Sequence, residues 1–280
     1  VVLESFRPGV LDRLGCGYAA LKAVNPRLVF CALTGYGQDG PWRDLAGHDL
    51  NYCGYAGVLD QTGAANAAPA MSGFQIADLA GGALTALGGI LAAVLGAKAS
   101  GEGCFVDAAM LDGTLALQAT THGAIRALGK APPRGEDMLT GGLPNYAVYE
   151  TADGRHMAVG ALESKFFQAF CRTIERPDLL KLPLAPGAKG EPLRAALTTL
   201  FKSRTQAEWT QALASADCCV TPVLSAEEAL RTPQVHARAL IDETDGKPAV
   251  ALPLRFDGKR GVNTAAAPAL GADNAAILSR

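Results

Sequence analysis

Apolar residues in the first part of the chain form short continuous runs that alternate with longer helical patterns. The pattern predicts a strand at residues 1–4 and, after the Arg7-Pro8-Gly9 turn, a helix over about 11–24 that Asn25-Pro26 ends. Residues 27–33 (RLVFCAL) are apolar throughout, which is typical of a buried strand in a parallel sheet.

The alternation continues further along the chain. The pattern predicts a helix over 45–58, a loop over 62–72 and a long helix that begins near Ile76. A strand at 104–107 and a helix to about 128 follow. Because strands and helices alternate, this part is predicted to be an α/β domain with an open, mainly parallel, Rossmann-like sheet. The chain starts inside a strand, so we expect this domain to be incomplete at its N-terminus.

The pattern changes after residue 129. Residues 130–144 are rich in Pro and Gly and predict a loop, and Asp153-Gly154 predicts a hairpin of strands 146–151 and 156–159. Helices are predicted near 164–174, 191–202, 206–215 and 225–230, so this part is α+β. We therefore predict a large domain (1–129), a linker (130–145), a small domain (146–235) and a C-terminal segment (236–280) that returns to the large domain.

One apolar segment is long enough to cross a membrane. Leu79–Ala97 contains 19 residues without a charge, but many of them are Gly or Ala, so insertion would gain little free energy. The pairs Gly81-Gly82 and Gly88-Gly89 indicate a helix face that another backbone approaches closely. We therefore predict a buried, tightly packed helix and no membrane partner.

Composition and charge exclude several classes of protein. Hydrophobic residues make up 49% of the chain, which excludes a disordered chain. The 25 basic and 27 acidic residues nearly cancel, so no basic surface for nucleic acid is expected. Seven cysteines without a C-x-x-C motif or zinc spacing indicate reduced thiols, a cytoplasmic location and no metal site.

Residues 35–40 match the G-x-G-x-x-G motif of dinucleotide-binding folds. The motif follows a predicted strand, but the next residues, Pro41-Trp42-Arg43-Asp44, do not begin an apolar helix. No helix N-terminus is therefore aimed at a pyrophosphate, and a nicotinamide or flavin cofactor is not expected.

Two residues are candidates for acid–base chemistry. His48 is flanked by small residues that allow a ligand to approach, although a histidine there could also be a hydrogen-bonded structural residue. Asp78 is the only charged residue between Asp60 and Lys98 and lies in the first turn of the apolar helix. It could cap that helix, or act as a base or nucleophile once it is partly desolvated. Without further information, Glu163 is interpreted as an ordinary acidic residue at a helix N-terminus.

Seven segments together resemble the family III CoA-transferases, and within them the α-methylacyl-CoA racemase branch. The resemblance extends over essentially the whole chain and implies that the family's first segment precedes residue 1. The segments are Glu4–Gly9, Thr34–Gln38, Ala46–Tyr52, Ala77–Gly82, Gly103–Asp107, Gly141–Tyr146 and Ala216–Leu224.

The resemblance implies a mechanism for each branch of the family. The transferases use the aspartate that matches Asp78 as a nucleophile, whereas the racemases carry a Gly-His-Asp triplet, here Gly47 to Asp49. It implies that His48 and Asp78 exchange a proton with opposite faces of the carbon beside a thioester, through an enolate. Glu163 matches a glutamate that orients the histidine from the partner subunit of an interlocked homodimer.

The resemblance also implies an acyl-CoA thioester as the ligand. Arg7 and Arg13 match positions that contact the CoA nucleotide, and arginine suits phosphate geometry. Backbone N–H groups near Asp49 would meet the enolate charge. The other substrate-binding positions implied are Gly47, Asp49, Leu50, Asn51 and Tyr52.

Three functions follow in order of preference. We expect a 2-methylacyl-CoA racemase of lipid metabolism that needs no metal or redox cofactor. The alternatives are a CoA-transferase with Asp78 as nucleophile and a protein that binds CoA thioesters without turnover. Because other family CoA contacts precede residue 1, we expect the chain without that segment to bind CoA poorly or to fail to fold as an enzyme.

Overall fold

A computed structural model of the chain describes residues 1–244, 247–261 and 267–279. The chain divides into two compact units, Val1–Thr221 and Pro222–Arg280. The first unit contains a parallel three-stranded sheet and a second three-stranded sheet built on an antiparallel pair. The predicted α/β class is confirmed, with both parallel and antiparallel strands.

The parallel sheet has the order β1-β2-β3, formed by Val2–Glu4, Phe30–Thr34 and Phe105–Ala109. The central strand β2 is covered on both faces, which is why its sequence is apolar throughout. Phe30 and Ala32 pack on one face against Tyr18 and Leu21. Cys31 packs on the other face against Ala86.

The predicted helix over 11–24 is wrong as a single element, because two short helices occur, α1 (Val10–Arg13) and α2 (Tyr18–Val24). Gly15 has a φ of +76°, in the left-handed region that ends a helix. The predicted helix over 45–58 is likewise shorter. It begins at α3 (Asp49–Tyr55) and is followed by α4 (Val58–Gln61).

The long apolar helix begins with a π-helical segment, Ile76–Leu84, and continues as α5 (Thr85–Ser100). The helix predicted after β3 is two helices, α6 (Met110–Ala116) and α7 (Ala119–Leu128), separated where Gln118 leaves helical geometry. The Gln118 amide donates a hydrogen bond of 2.7 Å to the carbonyl of Ala56, which fixes this break.

The π-helical segment and α6 contact each other backbone to backbone. A Cβ on Gly113 would lie 1.9 Å from the carbonyl oxygen of Gly81, so the close approach predicted at the Gly81-Gly82 pair is confirmed. The same prediction is wrong for Gly88-Gly89, because nothing lies within 4 Å of a Cβ on Gly88 and a Cβ on Gly89 meets only the Val106 side chain. The predicted burial of the whole helix is wrong. Within a single chain, only the side of this helix that faces β2, β3 and α6 is covered by other residues. Four leucines on the remaining surface of the helix are 51–68% exposed. We call them the leucine face: Leu84, Leu87, Leu91 and Leu95.

This helix, Ile76–Ser100, is long and apolar enough to cross a membrane by length and composition. A single such helix is weak evidence for a membrane span, because helices of soluble proteins share these properties.

The second sheet contains the predicted hairpin, β4 (Tyr146–Glu150) and β5 (His156–Gly160), followed by β6 (Val220–Pro222). Met157, Phe170 and Phe201 are fully buried in its core. A helical turn over Met138–Gly142, interrupted at Thr140 and Gly141, replaces part of the predicted loop. The other helices are α8 (Ser164–Thr173), α9 (Glu191–Phe201), α10 (Gln206–Ala212) and the 3₁₀ turns Pro177–Lys181 and Gly187–Lys189.

The second unit consists of short elements. Its helices and strands are α11 (Ala226–Leu230), α12 (Pro233–Ala237), β7 (Ile241–Thr244), β8 (Lys247–Val250) and α13 (Asn274–Leu278). Strands β7 and β8 form an antiparallel hairpin. The predicted domain boundaries stay predictions, and residues 245, 246, 262–266 and 280 of the predicted C-terminal segment lie outside the described residues.

Candidate active site

The start of α3 positions His48. Its backbone is extended (φ −131°, ψ 176°) and its N–H donates a 3.1 Å hydrogen bond to Oδ1 of Asn51, one turn into the helix. Asn51 therefore fixes the residue before the helix. The His48 side chain is exposed and lines two adjacent cavities.

Asp78 lies in the first turn of the π-helical segment and its side chain is half-buried. It lines the same cavity as His48. Burial raises the pKa of Asp78, and the negative charge of Asp49 raises it further, whereas the nearby His48 lowers it. A carboxyl with a raised pKa is a better general base than an exposed one.

The Asp49 side chain joins the two elements that carry these residues. Its Oδ1 accepts hydrogen bonds from the backbone N–H of Ala77 (2.6 Å) and of Asp78 (3.1 Å). Asp49 directly follows His48 in the chain, so a single carboxylate connects the start of α3 to the backbone of Asp78. Asp49 was predicted as a substrate-binding position, and the sequence gives no sign of this contact across 28 residues.

His48 lies where two cavities of different character meet. The first, the Asp78 cavity, has a volume of about 300 Å³ and, among the described residues, no lysine or arginine in its lining. The second, the Arg7 cavity, has a volume of about 310 Å³ and contains Arg7 and Arg43. The large apolar residues of the Asp78 cavity are Leu50, Val58, Leu59, Met71, Phe74 and Ile76.

The loop before His48 is shaped by Tyr52. The Tyr52 hydroxyl donates a 2.6 Å hydrogen bond to the carbonyl of Gly47. A Cβ on Gly47 would lie 2.7 Å from a Tyr52 ring carbon and 2.8 Å from the Tyr36 hydroxyl, so only glycine fits here. Gly47 and Tyr52, both predicted as substrate-binding positions, line the Arg7 cavity.

Three arginines gather near the turn between β1 and α1. A Cβ on Gly9 would lie 3.5 Å from Nη1 of Arg13 and 3.9 Å from Nη2 of Arg43. Within the described part of the chain, none of Arg7, Arg13 and Arg43 forms an ion pair. Arg43 was missed from the sequence, where it is one charge in a loop without a recognised motif.

Glu163 lies apart from the other candidate residues. It is exposed, directly before α8 in the region of the second sheet. In the described ranges it makes no hydrogen bond or ion pair with His48, and it does not line the Asp78 cavity. A single chain therefore brings His48, Asp49 and Asp78 together and leaves Glu163 outside.

Size alone does not identify this site. A larger cavity of about 1180 Å³ lies against β4 and β5 and includes Glu191 and Arg194, but neither His48 nor Asp78. Among the residues that the structure describes, no group of three or more His, Cys, Asp or Glu could hold a metal ion. The paired acid and base make the smaller Asp78 cavity the candidate active site.

Comparisons with known proteins identify the family of this chain. The sequence model of CoA-transferase family III matches residues 1–274. The alpha-methylacyl-CoA racemase of Homo sapiens is 38% identical over 233 residues, which cover 81% of this chain and 60% of the human protein. The acetyl-CoA:oxalate CoA-transferase of Acetobacter aceti is 30% identical over 266 residues, covering 92% of this chain and 67% of that enzyme.

A solved structure of a related protein has the same fold. A CAIB/BAIF family protein from Brucella suis superposes with a TM-score of 0.84 and 27% identity, covering 99% of this chain and 74% of that one. The fold, the matched residues and the enzymes among its relatives together make this chain a member of CoA-transferase family III.

Proposed function

We propose that this protein is a racemase that interconverts (2R)- and (2S)-2-methylacyl-CoA thioesters. The observation that carries the proposal is that His48 and Asp78, an imidazole and a partly desolvated carboxyl from separate elements, line one cavity that has six large apolar side chains and, among the described residues, no lysine or arginine. One group removes the α-proton and leaves the electron pair in an enolate. The other then delivers a proton to the opposite face, and the roles exchange for the other enantiomer.

The two cavities offer separate places for the two halves of a thioester. The CoA portion would occupy the Arg7 cavity, where the lining residues Arg7 and Arg43 would contact its phosphates, with Arg13 beside the adjacent turn at Gly9. The acyl chain would enter the Asp78 cavity, which places the α-carbon beside His48. Backbone N–H groups near Asp49 would stabilise the enolate oxygen.

The lining of the Asp78 cavity also favours a racemase over a transferase that acts on dicarboxylic acids. A second carboxylate on the acyl group would need a cation, and in the described chain neither lysine nor arginine lines this cavity. Six apolar side chains instead suit an uncharged acyl chain. The competing proposal is transfer of CoA between acids, with Asp78 as the nucleophile.

We further propose that the protein acts as a homodimer in which Glu163 of one subunit orients His48 of the other. The exposed leucine face supports a packed partner, because an apolar patch of this kind rarely faces water. The reaction needs no metal or redox cofactor, since it moves only protons, and the reduced cysteines suit the cytoplasm.

Chiral chromatography distinguishes the two reactions. Incubation of (2R)-2-methylacyl-CoA with the full-length protein that contains this chain should give both enantiomers, and His48→Ala or Asp78→Asn should lower the rate by about 10²–10⁴-fold. Asp44→Asn, an exposed aspartate outside the cavities, should not change it. Transfer of CoA to an added free acid, without inversion and with His48→Ala fully active, would contradict the proposal.

A further inference from the structure

The Asp49 carboxylate is the only side chain in the described residues whose hydrogen bonds tie the backbone of Asp78 to α3. Its Oδ1 holds two N–H groups at the start of the π-helical segment. A cap of this kind would stabilise any helix, so the contact alone does not establish a role in the reaction. The position of the contact is what points to such a role, because one of the two N–H groups belongs to Asp78 and Asp49 is bonded to His48.

The second oxygen of this carboxylate has only a weak partner. Its only hydrogen-bond partner among the described residues is the Cys53 thiol, a weak donor, at 3.7 Å from Oδ2. No lysine or arginine pairs with Asp49 in the described chain. The charge is therefore free to act on the neighbouring carboxyl.

We propose, on the basis of the proposed racemase function, that Asp49 is a positioning residue for the proton transfer. Its carboxylate fixes the backbone of Asp78 relative to His48 and places a second carboxylate beside that of Asp78. Asp49 itself exchanges no proton with the substrate. It acts only through Asp78.

The titratable groups around Asp78 all belong to one element, α3, and the residue before it. His48, Asp49, Tyr52 and Cys53 all lie on or directly before α3. In the described residues, α6, the other helix against this segment, adds no charge that acts on Asp78. Burial raises the pKa of Asp78 most, Asp49 raises it further and His48 lowers it. Removing the Asp49 charge should therefore lower the pKa of Asp78.

Two substitutions separate the charge from the anchor. Asp49→Asn keeps an oxygen that can accept the two N–H bonds but removes the charge, whereas Asp49→Ala removes both. In the direction where ionised Asp78 takes the α-proton, the acid limb of kcat/KM should move to lower pH in Asp49→Asn. Asp49→Ala should lose activity by about 10²-fold, because misplacement of a catalytic group by about 1 Å has that effect. Asp44→Asn is the matched control and should leave the acid limb unchanged.

A direct titration keeps this test independent of turnover. The pKa of the Asp78 carboxyl is measured by ¹³C NMR in the wild type, Asp49→Asn and Asp44→Asn. A lower pKa in Asp49→Asn alone supports the proposal, and an unchanged pKa overturns it. If the wild type does not move the α-proton at all, the racemase function fails, while the NMR titration still decides what Asp49 does to Asp78.

Discussion

Replacing Gly113 by alanine tests the closest backbone contact beside the site. The added Cβ would lie 1.9 Å from the carbonyl oxygen and 2.6 Å from the carbonyl carbon of Gly81. Neither is the end of a flexible side chain, so α6 or the π-helical segment must move by more than an ångström. Overpacking of this kind costs about 1–3 kcal/mol or more of unfolding free energy.

The matched control is Gly123→Ala in the middle of α7. Nothing lies within 4 Å of a Cβ at this exposed position, so alanine should stabilise the helix by about 1 kcal/mol through its higher helix propensity. The two identical substitutions, ten residues apart, should therefore differ by about 2–4 kcal/mol.

Urea unfolding followed by circular dichroism measures this difference, and the same samples report on the site. A shift of about 1 Å in the π-helical segment would displace Asp78 and lower turnover by about 10²-fold in Gly113→Ala only. Equal unfolding midpoints for the two variants would refute the backbone contact between α6 and the π-helical segment.

Three further changes test other parts of the account. Arg43→Ala should raise the KM for an acyl-CoA by about tenfold, because a charged hydrogen bond is lost. It should leave the KM of a pantetheine thioester unchanged, because that substrate has no nucleotide phosphates. Arg126→Ala, on the exposed surface of α7, is the control, and an equal rise in KM for both thioesters would argue against a phosphate contact. Tyr52→Phe should lower the unfolding free energy by about 1 kcal/mol in urea titrations, because one hydrogen bond is lost; no change would mean that this bond is not formed in solution. Leu87→Glu with Leu91→Glu should give monomers in analytical ultracentrifugation if the leucine face packs against a second chain, and an unchanged sedimentation coefficient would contradict that packing.

Local patterns were sufficient where neighbouring residues determine the structure. The apolar run of β2 and the Asp153-Gly154 hairpin were predicted because strand burial and turn geometry depend on adjacent residues. The break at Gln118 was missed for the opposite reason. Gln118 leaves the helix and bonds Ala56, 62 residues away, and no local pattern contains that partner.

The candidate site likewise contains residues that the sequence identifies and contacts that only the folded chain shows. His48 and Asp78 could be identified from the sequence because their chemistry, their small neighbours and the family resemblance all favour them. The contact of Asp49 with Ala77 and the position of Arg43 beside Gly9 depend on folding that brings separate segments together. The burial of the long helix was overestimated because an apolar sequence does not specify whether the same chain or another covers each face.

Exchange of the α-proton in heavy water tests most directly whether His48 and Asp78 act on opposite faces of the substrate. The (2R) and (2S) thioesters are incubated separately, and deuterium is followed by mass spectrometry with the wild type, His48→Ala and Asp78→Asn. The account predicts inversion with deuterium uptake in the wild type. Each variant should lose inversion and exchange the α-proton of only one enantiomer, a different one for each variant. Exchange of the same enantiomer by both variants, or inversion that survives either substitution, would contradict the two-base site.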